Sequence, residues 1–340
     1  MNLTLFLGAG FSAPFGHPVM DSFLGFADSN KRLSDEDRSF LGRLVLEARR
    51  ANSFLESSPT NLEDILTFSE MGDRLGLVED SENRGYLFRK ILQKIYTTIP
   101  PAKEYWSRYS SLERLIGAKP SDFKGKLSFV TTNYDLNIES ACLSLRAHTN
   151  PGFPFVQVES GKVQSIQNMY DTSGIPLFKL HGSVNWYPSK QDPSIAIENR
   201  IVQVMGGFDD ERMHSLPYPC ASNYVPEGDP LIIAPSFLKP ELSKTMGSIW
   251  RGAAQALSTA NVVAFVGYSF PSSDTEMLYF LARALSENAG IRAIYIVDPQ
   301  ADRLTDRLRS SGTKIGSHFR SLLNPITSNW TDARLPLLVD

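Results

Sequence analysis

A nearly unbroken apolar run that ends in glycine is the strongest constraint in this chain. Leu3, Thr4, Leu5, Phe6 and Leu7 lead directly into Gly8-Ala9-Gly10-Phe11-Ser12-Ala13. A strand without polar alternation suits a parallel sheet that is covered on both faces. The spacing of Gly8, Gly10 and Ala13 fits the pattern G-x-G-x-x-G/A. In that pattern the first glycine takes a tight turn, the second lets backbone approach a pyrophosphate, and the last small residue lets the next helix pack on the strand. The expectation is a phosphate turn, with Ser12 and a helix N-terminus facing the anion and a dinucleotide as ligand. Short glycine patterns also occur in ordinary turns. A dehydrogenase would add a second strand and a ribose-binding acid about 20 residues further on. Asp28 stands near that distance, but residues 26–31 do not read as a strand, which argues against that class.

The same punctuation recurs along the chain. Residues 127–131 form a strand pattern that stops at Thr132-Asn133-Tyr134-Asp135, with a helix expected over 136–146. Residues 177–180 deliver His181-Gly182-Ser183, residues 262–266 run into Gly267-Tyr268-Ser269, and residues 294–297 end at Asp298-Pro299. Polar residues at the carboxyl ends of strands occupy the edge where open α/β sheets bind ligands. Each also has a plainer use. Asn133 and Asp135 suit helix caps, His181 suits a hydrogen-bonded loop, Ser269 suits a chain turn, and Asp274 or Ser273 suits the cap of a helix over 275–287.

Between these strands, residues 34–117 read as helical, with apolar positions three and four apart. Phe40, Leu41, Leu44, Val45 and Ala48 form one stripe, and Leu62, Ile65, Leu66 and Phe68 another. Thr60-Asn61-Leu62-Glu63 has capping-box spacing, and Pro100-Pro101 separates a helix over 86–99 from a stripe of Tyr105, Trp106, Tyr109, Leu112 and Leu115. A hairpin joins 155–158 to 163–166 through Ser160-Gly161. Residues 187–230 read as a loop-rich cover. After the short stretch 231–234, a helix over 242–257 and later an amphipathic segment over 303–308 follow, and Trp186 reads as core. The expected fold is α/β on a parallel sheet, either one large domain or a domain with a second lobe, with the helical block at about 34–117 as an insertion.

Composition narrows the function classes. The chain has 340 residues, 42% hydrophobic and 21% charged, with a formal net charge of -3. That balance gives no strongly basic nucleic-acid surface, so direct nucleic-acid binding is not expected. Two cysteines, Cys142 and Cys220, cannot build a disulfide framework or a four-cysteine zinc site. No signal-like segment and no apolar run near the ~20 residues of a membrane helix occur, so a cytoplasmic protein without membrane contact is expected.

Taken together, GAGFS at 8–12, TTNYD at 131–135, KLHGS at 179–183 and GYS at 267–269 resemble the sirtuin superfamily, specifically its bacterial sirtuin-like branch. The order of the blocks matches as well. The resemblance implies a single sirtuin-like domain over 1–340 on a Rossmann-like parallel sheet, and an NAD site with Gly8, Ala9, Gly10 and Ser12 at the pyrophosphate. Asn133 and Asp135 would lie near the nicotinamide ribose, His181 would be the base, and Gly267, Ser269 and Asp298 would face the adenosine half. Gly16-His17-Pro18 also matches sirtuin deacetylases, but Val19-Met20-Asp21 replaces the acidic, aromatic and arginine residues expected next, and the zinc cysteines are absent. These departures resemble sirtuin-like NAD hydrolases of bacterial antiphage defence, without a zinc module or other metal. The resemblance further implies a homo-oligomer and, as partner, a HerA-like ATPase or an Argonaute-like protein.

The chemistry of NAD suits a metal-free hydrolase. Its nicotinamide leaves as a neutral base, so the protein has mainly to stabilise an oxocarbenium-like ribose and present water. The expected reaction gives nicotinamide and ADP-ribose, or cyclic ADP-ribose. The alternatives are an NAD-dependent protein deacetylase and a non-catalytic NAD or ADP-ribose sensor.

Overall fold

The structure, a computed structural model, describes residues 1–19, 22–31, 33–54, 65, 84–96, 106–123, 126–145, 147, 149–150, 155–159, 162–167, 174–188, 201–205, 231–233, 243–271, 274–310 and 317–337. Its centre is β1 (Leu3–Leu7), all five residues of which are buried. On one side β1 pairs in parallel with β2 (Leu127–Thr131), then β6 (Ile175–Lys179) and the short β3 (Thr149–Asn150). On the other side lie β9 (Val262–Val266), β10 (Ala293–Asp298) and β11 (Leu323–Thr327), again parallel. The order of this seven-stranded sheet is therefore β11-β10-β9-β1-β2-β6-β3. From β1 the chain goes to β2, lays down β3 at the far edge, returns to fill β6 between them, and then crosses back to add β9, β10 and β11 in turn on the other side. The switch point is the gap between the ends of β1 and β9, where such sheets hold ligands.

Alternation along the buried strands assigns the two faces. Phe6, Val130, Phe178, Val263 and Phe265 point into one core with Met246, Ile249, Ala253 and Leu257 of the helix Ser243–Ser258, and with Met277 and Leu281 of the helix Thr275–Ser286. Leu3, Leu5, Leu7, Phe129, Ala264 and Val266 point into the other. There they meet Leu112 and Leu115 of the helix Trp106–Ile116 and Ala141 of the helix Asn137–Ser144. This is a Rossmann-type α/β architecture. A third core joins Phe40, Leu41 and Leu44 of the helix Asp35–Phe54 to Phe88, Ile91 and Ile95 of the helix Arg84–Tyr96. Tyr134, Leu136 and Val184 belong to that third core, so helices and strand-exit loops share one packing unit.

Local departures from the sequence reading have physical causes. The segment after Gly8 is not a long helix. It is four residues, Ala9–Ser12, followed by a 3-10 turn, Ala13–Phe15, that holds Pro14 and ends at Gly16 with φ 83°. Ala13 is exposed, so it does not serve helix-on-strand packing. In residues 231–233, Ile232 makes an isolated antiparallel bridge to Gly182. The helix expected over 136–146 is Asn137–Ser144. The helix over 275–287 ends at Ser286, and Asp274 caps it by accepting from Met277 N. Trp186 is core, 1% exposed.

The hairpin forms from β4 (Phe155–Glu159) and β5 (Lys162–Gln167). It extends through β8 (Ile201–Met205) to β7 (Trp186–Pro188) as a second sheet. These two strands are the described part of residues 187–230; the rest of that cover lies outside the described residues. So do Thr60-Asn61-Leu62-Glu63, Leu66, Phe68, Pro100-Pro101, Ser160-Gly161 and Ser273.

Two loops interlock at the switch point. Gly8 N donates to Val266 O at 3.0 Å and Gly10 N to Gly267 O at 2.9 Å. A Cβ on Gly8 would lie 2.5 Å from Gly267 O, and one on Gly267 would lie 2.4 Å from Gly10 C. Gly267 also has φ 61°, a left-handed conformation open to glycine at little cost. Gly267→Ala should therefore lose about 2–5 kcal/mol of unfolding free energy from the left-handed backbone and overpacking. Urea unfolding checks this; an unchanged midpoint would contradict the interlock.

Candidate functional site

The interlocked loops form one wall of a cleft of about 320 Å³, within the range of small-ligand sites. It opens at the carboxyl ends of β1, β2, β6, β9 and β10. Ala9, Gly10, Ser12, Asn133, Asp135, His181, Gly267, Ser269 and Asp298 all line it. Gly8 stands just behind, where its carbonyl accepts from Asn133 Nδ2 at 2.7 Å. Nine of the ten site residues expected from sequence thus share one surface, although they come from five separate strand exits.

Asn133 is oriented by its acceptors. Gly8 O can only accept, which fixes Nδ2 toward it, and the same nitrogen reaches Ser12 Oγ at 3.0 Å. Asn133 N is held by Thr131 Oγ1 at 3.0 Å, and Thr131 in turn donates to Leu7 O. Asn133 Oδ1 is then the end of the amide left to bind a ligand.

Asp135 is 3% exposed and takes its partners from three segments. Ser12 Oγ donates to Oδ2 at 2.7 Å, Asn137 N donates to Oδ1 at 2.9 Å, and His17 Nδ1 lies 3.3 Å from Oδ2. Burial alone would raise its pKa. His17, Lys179 and Ser12 together outweigh burial and hold the carboxyl down at about 2. Ser12 was expected to face an anion; its hydroxyl instead bridges Asp135 and Asn133. The aspartate is a fixed charge saturated with donors, a poor arrangement for taking up a proton near neutral pH.

His181 is 3% exposed and sits on a reinforced corner. Gly182, next to it, has φ 79°, and a Cβ there would fall 1.9 Å from Leu231 O. Ile233 N donates to His181 O at 2.9 Å, and Ser183 N to Leu231 O at 3.0 Å. The imidazole stacks on Tyr134, centroids 6.2 Å apart, and Tyr134 Oη donates to Ile233 O at 2.8 Å. Asp298 Oδ1 accepts from Gln300 N at 2.8 Å, which turns the chain at the adenosine-side end expected from the resemblance.

Several site residues were not singled out from sequence. Tyr96 comes from the helix Arg84–Tyr96, lines the cleft and packs edge-on against His17 and Tyr134. Burial, and then the Asp135 charge, raise its phenol, which therefore stays neutral. His17 and Asn137 brace Asp135, with His17 Nδ1 and Asn137 Nδ2 3.3 Å apart. Behind the cleft lies a buried ion pair of Lys179 and Glu139, 2.9 Å apart. Burial raises the Glu139 carboxyl, against the pull of Lys179. One signal was available: a lysine inside the apolar run Leu177-Phe178-Lys179-Leu180 needs a partner. Among the described residues, no group of His, Cys, Asp and Glu side chains could hold a metal ion, and no helix is long and apolar enough to cross a membrane.

The Asp135 environment sets a pH dependence. Its folded pKa lies below the ordinary 3.8, so its contribution is fully present above that value and is lost as pH falls through about 2. The shift corresponds to about 2 kcal/mol. Glu139 acts in the opposite sense, since its raised pKa relieves a buried charge as the pH drops. Asp135→Asn should lower stability at pH 7 and flatten the loss between about pH 4 and 2. Urea unfolding at a series of pH values measures both; parallel profiles for the two proteins would contradict the assignment.

The family model described as SIR2-like domain matches residues 127–316, from β2 past β10. No curated protein matches the chain. Among solved structures, Sir2Tm bound to a propionylated peptide is similar at 13% identity, over 97% of this chain and 89% of that one, with a TM-score of 0.37. A histidine-to-asparagine mutant of a Sir2 homologue in complex with ADP-ribose is 14% identical over 97% and 87%, TM-score 0.41. A Sir2 complex with an inhibitor, 2'-O-acetyl-ADP-ribose and a deacetylated p53 peptide is 13% identical over 97% and 89%, TM-score 0.34. Because the family match spans more than half of the sequence, the chain belongs to the SIR2-like domain family.

Proposed function

We propose that this protein is an NAD glycohydrolase, cleaving the bond between nicotinamide and ribose to give nicotinamide and ADP-ribose or its cyclic form. The observation that carries the reading is the gathering of Asn133, Asp135 and His181 with both glycine loops around one cleft. The charge of that cleft supports it. Asp135, Asp274 and Asp298 line it, and no lysine or arginine does so among the described residues. Asp135, next to Asn133 and ionised, favours a ligand whose reacting end is cationic and a transition state that spreads positive charge over the ribose.

In this reading the glycosidic electron pair leaves with the ring nitrogen and neutralises it, while water adds to the ribose carbon to give ADP-ribose, or a ring nitrogen of the adenine adds there to give the cyclic form. His181 accepts the proton of that water or of a ribose hydroxyl. Asn133 Oδ1 positions the water or the hydroxyls. Asp135, held ionised by its donors, stabilises developing positive charge without taking a proton. Cys142 has no part, because burial and the Glu139 charge raise its thiol and the side chain is 0% exposed.

Incubation of the purified protein with NAD, followed by chromatography, tests the reading directly. Nicotinamide released from NAD alone supports it. Release only with an acetylated peptide would assign a deacetylase, and tight NAD binding without turnover would assign a sensor. Asn133→Ala and His181→Ala should each reduce turnover by about 10²-fold or more, whereas Cys142→Ser with Cys220→Ser should not. An equally inactive but folded cysteine double variant would contradict the assigned chemistry.

The same reading carries a role as an NAD-depleting effector in bacterial antiphage defence, restrained by assembly as a homo-oligomer with a HerA-like or Argonaute-like partner. An unrestrained hydrolase would drain a shared metabolite, and an effector can release it only by binding one arrangement better than another. Solution mass and NAD turnover should therefore change together with protein concentration or with partner. Constant full activity from a monomer would remove this restraint and leave the hydrolase reading intact.

A further inference from the structure

We propose that Lys179 is a positioning residue for the reaction at this cleft, acting by tying the loop that carries Asn133 and Asp135 to the loop that carries His181; this rests on the glycohydrolase reading. The ammonium is 0% exposed. It donates to Asp135 O, to Glu139 Oε1 at 2.9 Å and to Ser183 Oγ at 2.8 Å, with Tyr134 O a weaker contact at 3.4 Å. Ser183 passes the tie on by donating to Asn185 Oδ1 at 2.8 Å. One side chain two residues before His181 thus bonds both backbone carbonyls that follow Asn133, the first turn of the helix Asn137–Ser144, and the residue two beyond His181.

Bulk packing does not call for this arrangement. A buried ion pair costs several kcal/mol of desolvation per ion, and apolar residues of similar size often serve stability as well or better. Hydrogen bonds from a charged donor do what apolar packing cannot, which is to fix the direction of a carbonyl and hence of the side chains beside it. The Lys179 charge also reaches Asp135 and helps to hold it ionised. None of the Lys179 bonds goes to the glycine loops or to Asp298. Lys179 therefore acts on the geometry of the reacting end and leaves dinucleotide affinity to the rest of the site.

The test separates positioning from folding with two variants of the full chain. Lys179→Met alone leaves Glu139 as an unpaired buried carboxylate, so it should lose stability as well as turnover. Lys179→Met with Glu139→Leu removes both charges and should recover the stability, while the carbonyl tie stays lost. For this double variant we expect kcat for NAD to fall by about 10²-fold, the scale of a small misplacement of reacting groups. KM and the calorimetric Kd for ADP-ribose should stay within about threefold of wild type. A folded double variant with wild-type kcat would overturn the proposal, and so would loss of ADP-ribose affinity in parallel with kcat. Failure of both variants to fold would overturn it too, since the pair would then be structural. Wild-type protein that neither releases nicotinamide nor binds ADP-ribose would overturn the glycohydrolase reading itself, and this proposal with it.

Discussion

Keeping Asp135 ionised inside the protein is the constraint on which the rest of the site depends. An isolated carboxylate in a low-dielectric interior would take up a proton or force the chain open. The fold meets it with Ser12 from the β1 exit, His17 from the turn after Gly16, the backbone N–H of Asn137, and Lys179 from β6. These groups belong to segments far apart in sequence. To bring them within reach of one side chain, β1, β2 and β6 must lie side by side in register, as Leu7, Thr131 and Lys179 do. The charge is thus a geometric specification as well as a cost.

The glycine interlock supplies the opposite wall. Gly10 had an apparent duty toward a pyrophosphate, but its missing side chain is already needed inside the protein, where a Cβ would fall 2.8 Å from Gly267 Cα. The two duties compete in part. The amides of Gly8, Gly10 and Gly267 are already donated to Val266 O, Gly267 O and Val297 O, so what the interlock leaves to the cleft is close backbone approach without side chains. The sequence pattern at 8–13 was informative because glycine spacing reports how closely two backbones approach, whichever partner lies opposite.

Legibility in the sequence followed the physics of each element. Buried parallel strands are apolar on both faces, so β1, β2, β9 and β10 could be read as continuous runs, and the polar residues ending them marked the site. Strands β3 and β11 were not foreseen. The first is two residues long, and the second carries Asn324 and Pro325 at an edge of the sheet, where neither length nor hydrophobicity is demanded. Ala13 misled because pattern spacing does not record that Pro14 and Gly16 end the helix at once. Tyr96 was not identified, and His17 entered only as part of a matching motif without a role, because their importance comes from tertiary neighbours, Asp135 and Tyr134, and a helical tyrosine looks the same whether it faces a core or a cleft. Lys179 and Glu139 were partly legible, since a charge within an apolar strand predicts a partner but not which one.

The arrangement also divides the proposed labour between residues that sequence alone treats as equals. A general base needs a pKa near the working pH, and Asp135, held at about 2, is far from it. Its fixed charge is suited to stabilising positive charge as it develops, at no cost in reorganisation during the reaction. Asn133 has no proton to exchange, and its Nδ2 is committed to Gly8 O and Ser12 Oγ, so its carbonyl end is what can orient a hydroxyl or a water. That leaves His181 for proton transfer, on a corner whose Gly182 tolerates no side chain. The rigidity of that corner is consistent with the task, because a base contributes only when held within hydrogen-bonding reach of the proton it removes. The roles proposed for the three residues differ because their surroundings differ, and those surroundings are fixed by the parallel register of the strands that precede them.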